Sequence, residues 1–156
     1  MPDWVTHVII AFFVAKALRF DKPSLVMLGG LLPDLVTKSG MILRYYLPST
    51  TVDSLEAFHT PVGSILICLS IAPFFKEKYN KTALYLGIGS MSHLFLDSLQ
   101  RYSGVMFFWP FSWAQYSSSL FWSEDLRPLV ISLVFVAFYI TLKTRKNVAP
   151  SGKQRL

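Results

Sequence analysis

The chain has 156 residues, of which 53% are hydrophobic and only 15% charged, where an ordinary soluble domain carries about 25% charge. That balance excludes a disordered chain, a coiled coil and a typical soluble enzyme, and a single cysteine excludes both a disulfide framework and a thiolate zinc cluster. A net charge of +6 suits either nucleic acid or a membrane, and a mean hydropathy of +0.44 decides for the membrane.

Five apolar runs follow one another: Trp4–Phe20, Ser24–Val36, Pro61–Phe75, Thr82–Leu99 and Pro128–Leu142. Each is 13 to 18 residues long, at or below the roughly 17–25 needed for a full transmembrane helix. None alternates as a barrel strand does. The expected fold is all-α: a polytopic membrane bundle of four to five short transmembrane helices. Residues 1–142 form its single domain, and 143–156 a basic cytoplasmic tail. Thr60-Pro61 predicts a helix start, with threonine as N-cap and proline at the first helical position. Lys81-Thr82 and Ser123-Glu124-Asp125 read as two further starts. Pro33 is expected to break or kink the second run just before Asp34. Asp3 before the first run, and basic residues after it, argue against a cleavable signal peptide.

Charge orients the bundle. With the N-terminus outside and every run crossing, the inner segments carry eleven of the fifteen lysines and arginines, and the outer ones seven of the nine acids. The positive-inside rule therefore predicts an outer N-terminus and a cytoplasmic C-terminus in the cell membrane. Trp4, Trp109, Trp113 and Trp122 all fall on the outer side, as an interfacial belt would place them. Lys76, Lys78 and Lys81 make a short inner loop, and no nucleic-acid partner is expected. Cys68 reads as buried filler, and the oligomeric state is left open.

Five ionisable residues lie within or beside this apolar bundle: His7, Asp34, His59, His93 and Asp97. At membrane depth each charge costs roughly 2.5–3.5 kcal/mol, so such groups are usually paired and functional. In the predicted topology all five fall toward the outer ends of their helices. His93 and Asp97, four apart, share one helix face and can both reach one metal ion. Gly87-Ile88-Gly89-Ser90, just before them, allows a neighbouring backbone to come close. Taken singly, each residue has a plain reading as a hydrogen-bonded or capping group. Jointly they include all three histidines of the chain, and a metal site is the better account.

The order His7, GGLLPD (29–34), His59, SHLFLD (92–97) and WPF (109–111) resembles the YdjM-like family of predicted membrane-bound metal-dependent hydrolases. The ligand order is also similar to that of zinc-dependent phospholipase C. The resemblance implies Asp34, His59, His93 and Asp97 around one metal, with His7 beside it or on a second ion. It departs from the family at Val36, where a second aspartate is common, and at Ser54 and Leu55, where the family has His and Arg. Asp53 and Glu56 are the nearby carboxylates that would have to substitute.

Two imidazoles and two carboxylates suit a divalent metal, above all zinc. The expected function is a membrane-bound metal-dependent hydrolase acting on an amphiphilic phosphoester or lipid-like ester at the outer interface, among membrane lipids. Asp34, next to the proline break, is the candidate catalytic base, and Arg101, one turn after Asp97, either binds substrate phosphate or snorkels. Trp109, Phe111 and Trp113 would ring the site. The alternative is a non-enzymatic integral membrane protein with a structural metal or a His/Asp hydrogen-bond cluster. An ion or proton relay fits less well, since the inner halves of the helices carry almost no ionisable group but Lys16.

Overall fold

A computed structural model describes residues 4–46, 48, 50, 54–101, 104–122 and 125–148. Its α-helices are α1 (Trp4–Ala17), α2 (Pro23–Gly29), α3 (Leu32–Leu43), α4 (Pro61–Ile71), α5 (Tyr79–Ser98) and α6 (Arg127–Val148). Short 3-10 turns at Leu55–His59 and Ala72–Phe74 bracket α4. Among the described residues extended pairing is limited to two isolated bridges, Gln100 with Phe121 and Val105 with Tyr116.

The bundle is organised around α5, which packs against α1, α2, α3 and α4. Its contact with α2 is backbone against backbone. A Cβ on Gly89 would lie 2.0 Å from the Val26 carbonyl oxygen, and one on Gly29 would lie 2.1 Å from that of Leu86. Neither glycine has a positive φ, so the requirement is for space between helices. Gly87, of the same sequence motif, has nothing within 4 Å. Ser90 closes the crossing by donating to the Gly29 carbonyl at 2.9 Å.

The second apolar run differs from expectation. The expected break comes a few residues before Pro33: α2 ends at Gly29 and α3 begins at Leu32, with Pro33 in its opening turn. Proline fits the first turn because the N–H it lacks would have no helical partner there. Asp34 therefore sits at the start of a helix, not at the end of one, and is fully buried. At 1.5 Å per residue α2 and α3 extend about 10 and 18 Å, each short of a bilayer core of about 30 Å.

The other boundaries have local causes. Thr60 caps α4 as expected, its hydroxyl accepting from the Gly63 N–H at 3.1 Å. The α5 helix starts at Tyr79, three residues before Thr82, because the polar turn Asn80-Lys81 extends the helix beyond its apolar run. At the head of α6, the Asp125 carboxylate accepts from the Arg127 N–H at 2.9 Å; Ser123 and Glu124 lie outside the described residues. The basic tail begins as helix, since α6 continues to Val148. Lysines and arginine are good helix formers and favoured near a helix C-terminus. Residues 149–156 lie outside the described residues.

A polar cluster is buried beside the apolar core, and much of the surface is apolar. His7, Asp34, Ser90, His93, Asp97 and Gln100 are buried, while Val130, Ile131, Leu133, Val134, Phe135 and Phe138 are exposed along α6. An apolar surface of this extent marks a membrane or partner contact. The stretch Arg127–Arg145, 19 residues, is the one described helix both long and apolar enough to cross a bilayer. Trp4–Ala17 and Pro61–Phe74 are apolar but shorter. Helix α5 has the length but carries Lys81, Ser90, Ser92, His93 and Asp97 along it.

Candidate metal centre

Four elements deliver the ionisable residues to one place. His7 comes from α1, Asp34 from the first turn of α3, and His93 and Asp97 from the last two turns of α5. His59 ends the 3-10 turn before α4. That turn is pinned by two hydroxyls: Thr60 donates to the Ala57 carbonyl at 2.7 Å and Ser64 to the Phe58 carbonyl at 3.1 Å. His59 is thus held from both sides by the cap of the following helix.

One ligand atom from each of Asp34, His59, His93 and Asp97 lies within 4.8 Å of all the others. Asp97 Oδ2 is the inner carboxylate oxygen, 2.9 Å from His59 Nε2 and 3.2 Å from His93 Nε2. Asp34 Oδ1 stands farther off, at 3.9 and 3.7 Å from the same two nitrogens. The two Nε2 atoms are 3.0 Å apart. His7 lies beside this group: its ring stacks on His93 at 3.8 Å between centroids, and its Nε2 is 3.4 Å from Asp97 Oδ1. All five residues singled out in the sequence are therefore brought together, four around one point and His7 against its wall.

The donor set fits a divalent metal. His93 Nδ1 lies 2.8 Å from the Gly30 carbonyl, which can only accept, so Nδ1 carries the proton. Neutral His93 then presents the Nε2 lone pair to Asp97 Oδ2, Asp34 Oδ1 and His59 Nε2. Such an array of acceptors is repulsive unless a cation or added protons lie among them. The Nδ1–H to carbonyl bond is also the usual outer support of a metal-ligating imidazole. Asp34 Oδ1, Asp97 Oδ2 and both His7 nitrogens are buried without a hydrogen bond of proper geometry, which is costly in a dry interior unless another group satisfies them.

Two neighbours went unnoticed in the sequence. Gln100 is buried and donates its amide to Asp97 Oδ1. Lys38, four residues after Asp34, donates to Asp34 Oδ2 and lies over the Trp4 ring at 5.0 Å. The i, i+4 spacing from Asp34 was the available signal for Lys38. Gln100 carried none, because α5 ends at Ser98 and the chain turns there. That end also displaces Arg101, which is exposed and stacks its guanidinium over Trp122 at 4.6 Å; the position beside Asp97 belongs to Gln100.

Residues after α5 fold back over its end, with the Ser118 N–H on the Ser98 carbonyl at 2.7 Å and the Leu120 N–H on that of Leu99 at 3.0 Å. A groove of about 530 Å³ opens between this segment and the His59 turn, lined by Glu56, Phe58, Met106, Trp109, Trp113 and Gln115 among others. Glu56 is thus a groove residue and not one of the clustered donors. Phe111 is almost fully exposed and is not among the lining residues, and Asp53 lies outside the described residues. Within the cluster, side-chain exposure is 13% at His59 and at most 1% at His7, Asp34, His93 and Asp97, so His59 is the member nearest the surface.

No curated protein and no solved structure matches the chain. The family described as YdjM inner membrane protein matches residues 1–150, almost the whole sequence and every residue of the cluster. The chain belongs to the YdjM family of inner membrane proteins.

Proposed function

We propose that this protein is a metal-dependent hydrolase of the membrane, cleaving a phosphoester or lipid-like ester at the outer interface. In this reading the helices make four to five short spans, with the N-terminus outside and the C-terminus cytoplasmic. The observation that carries it is the convergence of His59 Nε2, His93 Nε2, Asp97 Oδ2 and Asp34 Oδ1, with the His93 lone pair turned inward by Gly30. Two imidazoles and two carboxylates favour zinc among the common divalent ions.

When bound, a zinc-type ion supplies Lewis acidity, polarising an ester oxygen and acidifying water at neutral pH. The chain's own residues divide the remaining work. His59, His93 and Asp97 would hold the ion, and Gln100 fixes the Asp97 carboxylate from behind. Asp34 Oδ1 is the looser donor by distance, which suits it to accept a proton from the attacking water. Water oxygen bonds to the ester centre, the ester C–O or P–O bond breaks, and the proton held on Asp34 passes to the departing alkoxide.

Deep burial of four of the five residues supports a second reading, a closed structural metal site. Metal analysis and turnover separate the two. The expected result is near-stoichiometric zinc in the wild type, none in His93→Ala, and a loss of turnover of roughly 10²–10⁴-fold in Asp34→Asn. Full turnover in Asp34→Asn would remove its assigned role, and metal without turnover on any ester would favour the structural site.

A further inference from the structure

We infer that Lys38 makes this centre selective for a singly charged phosphodiester over a neutral carboxylic ester. The inference rests on the proposed metal site and narrows its substrate class. Lys38 is a cationic side chain that touches the cluster, through Asp34 Oδ2. Its side chain is 31% exposed while Asp34 is fully buried, so the ammonium stands between the buried carboxylate and the outside. An ammonium has three donors. Asp34 takes one, and the Trp4 face, 5.0 Å away, covers part of the rest while leaving the exposed side available to a ligand.

Charge balance gives the ligand class. Asp34 and Asp97 contribute two negative charges, a divalent ion cancels them, and neutral histidines add none. With Lys38 the assembled centre holds one net positive charge. A phosphodiester monoanion neutralises it, whereas a neutral carboxylic ester offers the half-buried ammonium no charged partner. Lys38 is four residues from Asp34 on one helix, so its position is tied to the proposed base. It would hold a non-bridging phosphoryl oxygen by a charge-assisted hydrogen bond. Lys38 is thus a substrate-positioning residue that the ligand motif does not include.

The test uses full-length protein in detergent, loaded with Co²⁺ as a visible reporter of the metal's surroundings. Dimethyl phosphate is titrated as the phosphodiester probe, with methyl acetate as the neutral ester. The expected result is a saturable change in the cobalt bands with dimethyl phosphate and none with methyl acetate. Lys38→Met, brought to full cobalt loading by its own titration, should weaken the dimethyl phosphate response roughly 10- to 100-fold, and Lys38→Arg should restore most of it.

An equal response in Lys38→Met and wild type overturns the inference while leaving the metal site intact. So does a response to methyl acetate as strong as that to dimethyl phosphate. Loss of cobalt itself in Lys38→Met, with cobalt retained by Lys38→Arg, also overturns it, since Lys38 would then serve only to hold Asp34. No cobalt in the wild type removes the metal site and this inference with it.

Discussion

The Nδ1–H of His93 donates to the carbonyl of Gly30 at 2.8 Å, tying the central helix α5 to the turn between α2 and α3. The bond orients the imidazole toward the cluster and also fixes the α2–α3 break, one turn before Asp34, against the helix that carries Asp97. Both halves of the cluster therefore depend on how closely α2 approaches α5.

That dependence is testable through two glycines on one helix. In Gly89→Ala the new methyl would stand 2.0 Å from the Val26 carbonyl oxygen, so α2 must move away. Overpacking of this kind costs about 1–3 kcal/mol, and it should loosen both the His93–Gly30 and Ser90–Gly29 bonds. Gly87→Ala meets nothing within 4 Å and should gain about 0.5–1 kcal/mol from helix propensity. Thermal unfolding in detergent with zinc assayed alongside should show Gly89→Ala losing both stability and metal while Gly87→Ala loses neither. Equal behaviour of the two variants would contradict the close crossing.

The cluster predicts a ranking among its histidines. His59 and His93 present Nε2 atoms to the common point, so His59→Ala or His93→Ala should abolish metal binding. His7 stacks on His93 and lies nearest Asp97 Oδ1, the oxygen turned away from that point. His7→Gln should keep the stoichiometry and weaken affinity by about 10–100-fold, as loss of an outer-shell partner does. Competition with a chromophoric chelator measures this. Complete loss of metal in His7→Gln would make His7 a direct ligand.

Much of this site was legible from the sequence because ionisable residues in an apolar chain are few enough to count. Thr60-Pro61 announced the α4 start through its chemistry, and His93 and Asp97 shared a face by spacing alone. The α2–α3 break was misplaced because Pro33 can end one helix or open the next, and the choice depends on how Gly29 and Gly89 let α2 and α5 meet. Tyr79 as the start of α5 was hidden for a related reason. Polar residues at a helix mouth add length without adding hydropathy, so apolar runs underestimate helices. Gln100 beside Asp97 depends on where α5 stops, and its neighbouring sequence has no signal for that. The His/Asp cluster was legible from residue type and order; its neighbours needed coordinates.

At the opposite end of the bundle Asp21 accepts from the Lys81 ammonium at 2.5 Å and the Tyr85 hydroxyl at 2.7 Å. These bonds, the lysine's foremost, hold the Asp21 carboxyl down at about 2, against about 3.9 for a free aspartate. Because the folded value is depressed, the stabilisation is present above the unfolded pKa and is lost as pH falls from about 4 toward 2. The group is exposed, so the effect on overall stability is small. A carboxylate-selective NMR titration should place the Asp21 midpoint near 2 in the wild type and move it upward in Lys81→Met. An unshifted midpoint in the wild type would show that the Asp21–Lys81 contact is not maintained in solution.

The topology makes a prediction that requires no metal. The segment carrying Trp109 and Trp113 and the loop before Tyr79 flank opposite ends of α5, so an α5 that crosses must leave them on opposite sides. Cys68 is the chain's one cysteine and is buried, which makes Cys68→Ala a clean background for labelling. Ala114→Cys and Lys78→Cys both replace exposed residues. With the metal site facing outward, an impermeant maleimide should label the first variant in right-side-out vesicles and the second only after the membrane is opened. The reverse pattern would turn the cluster toward the cytoplasm, where its substrate would have to be an inner-leaflet lipid or a soluble ester. Equal labelling of both from outside would mean that α5 does not cross the bilayer.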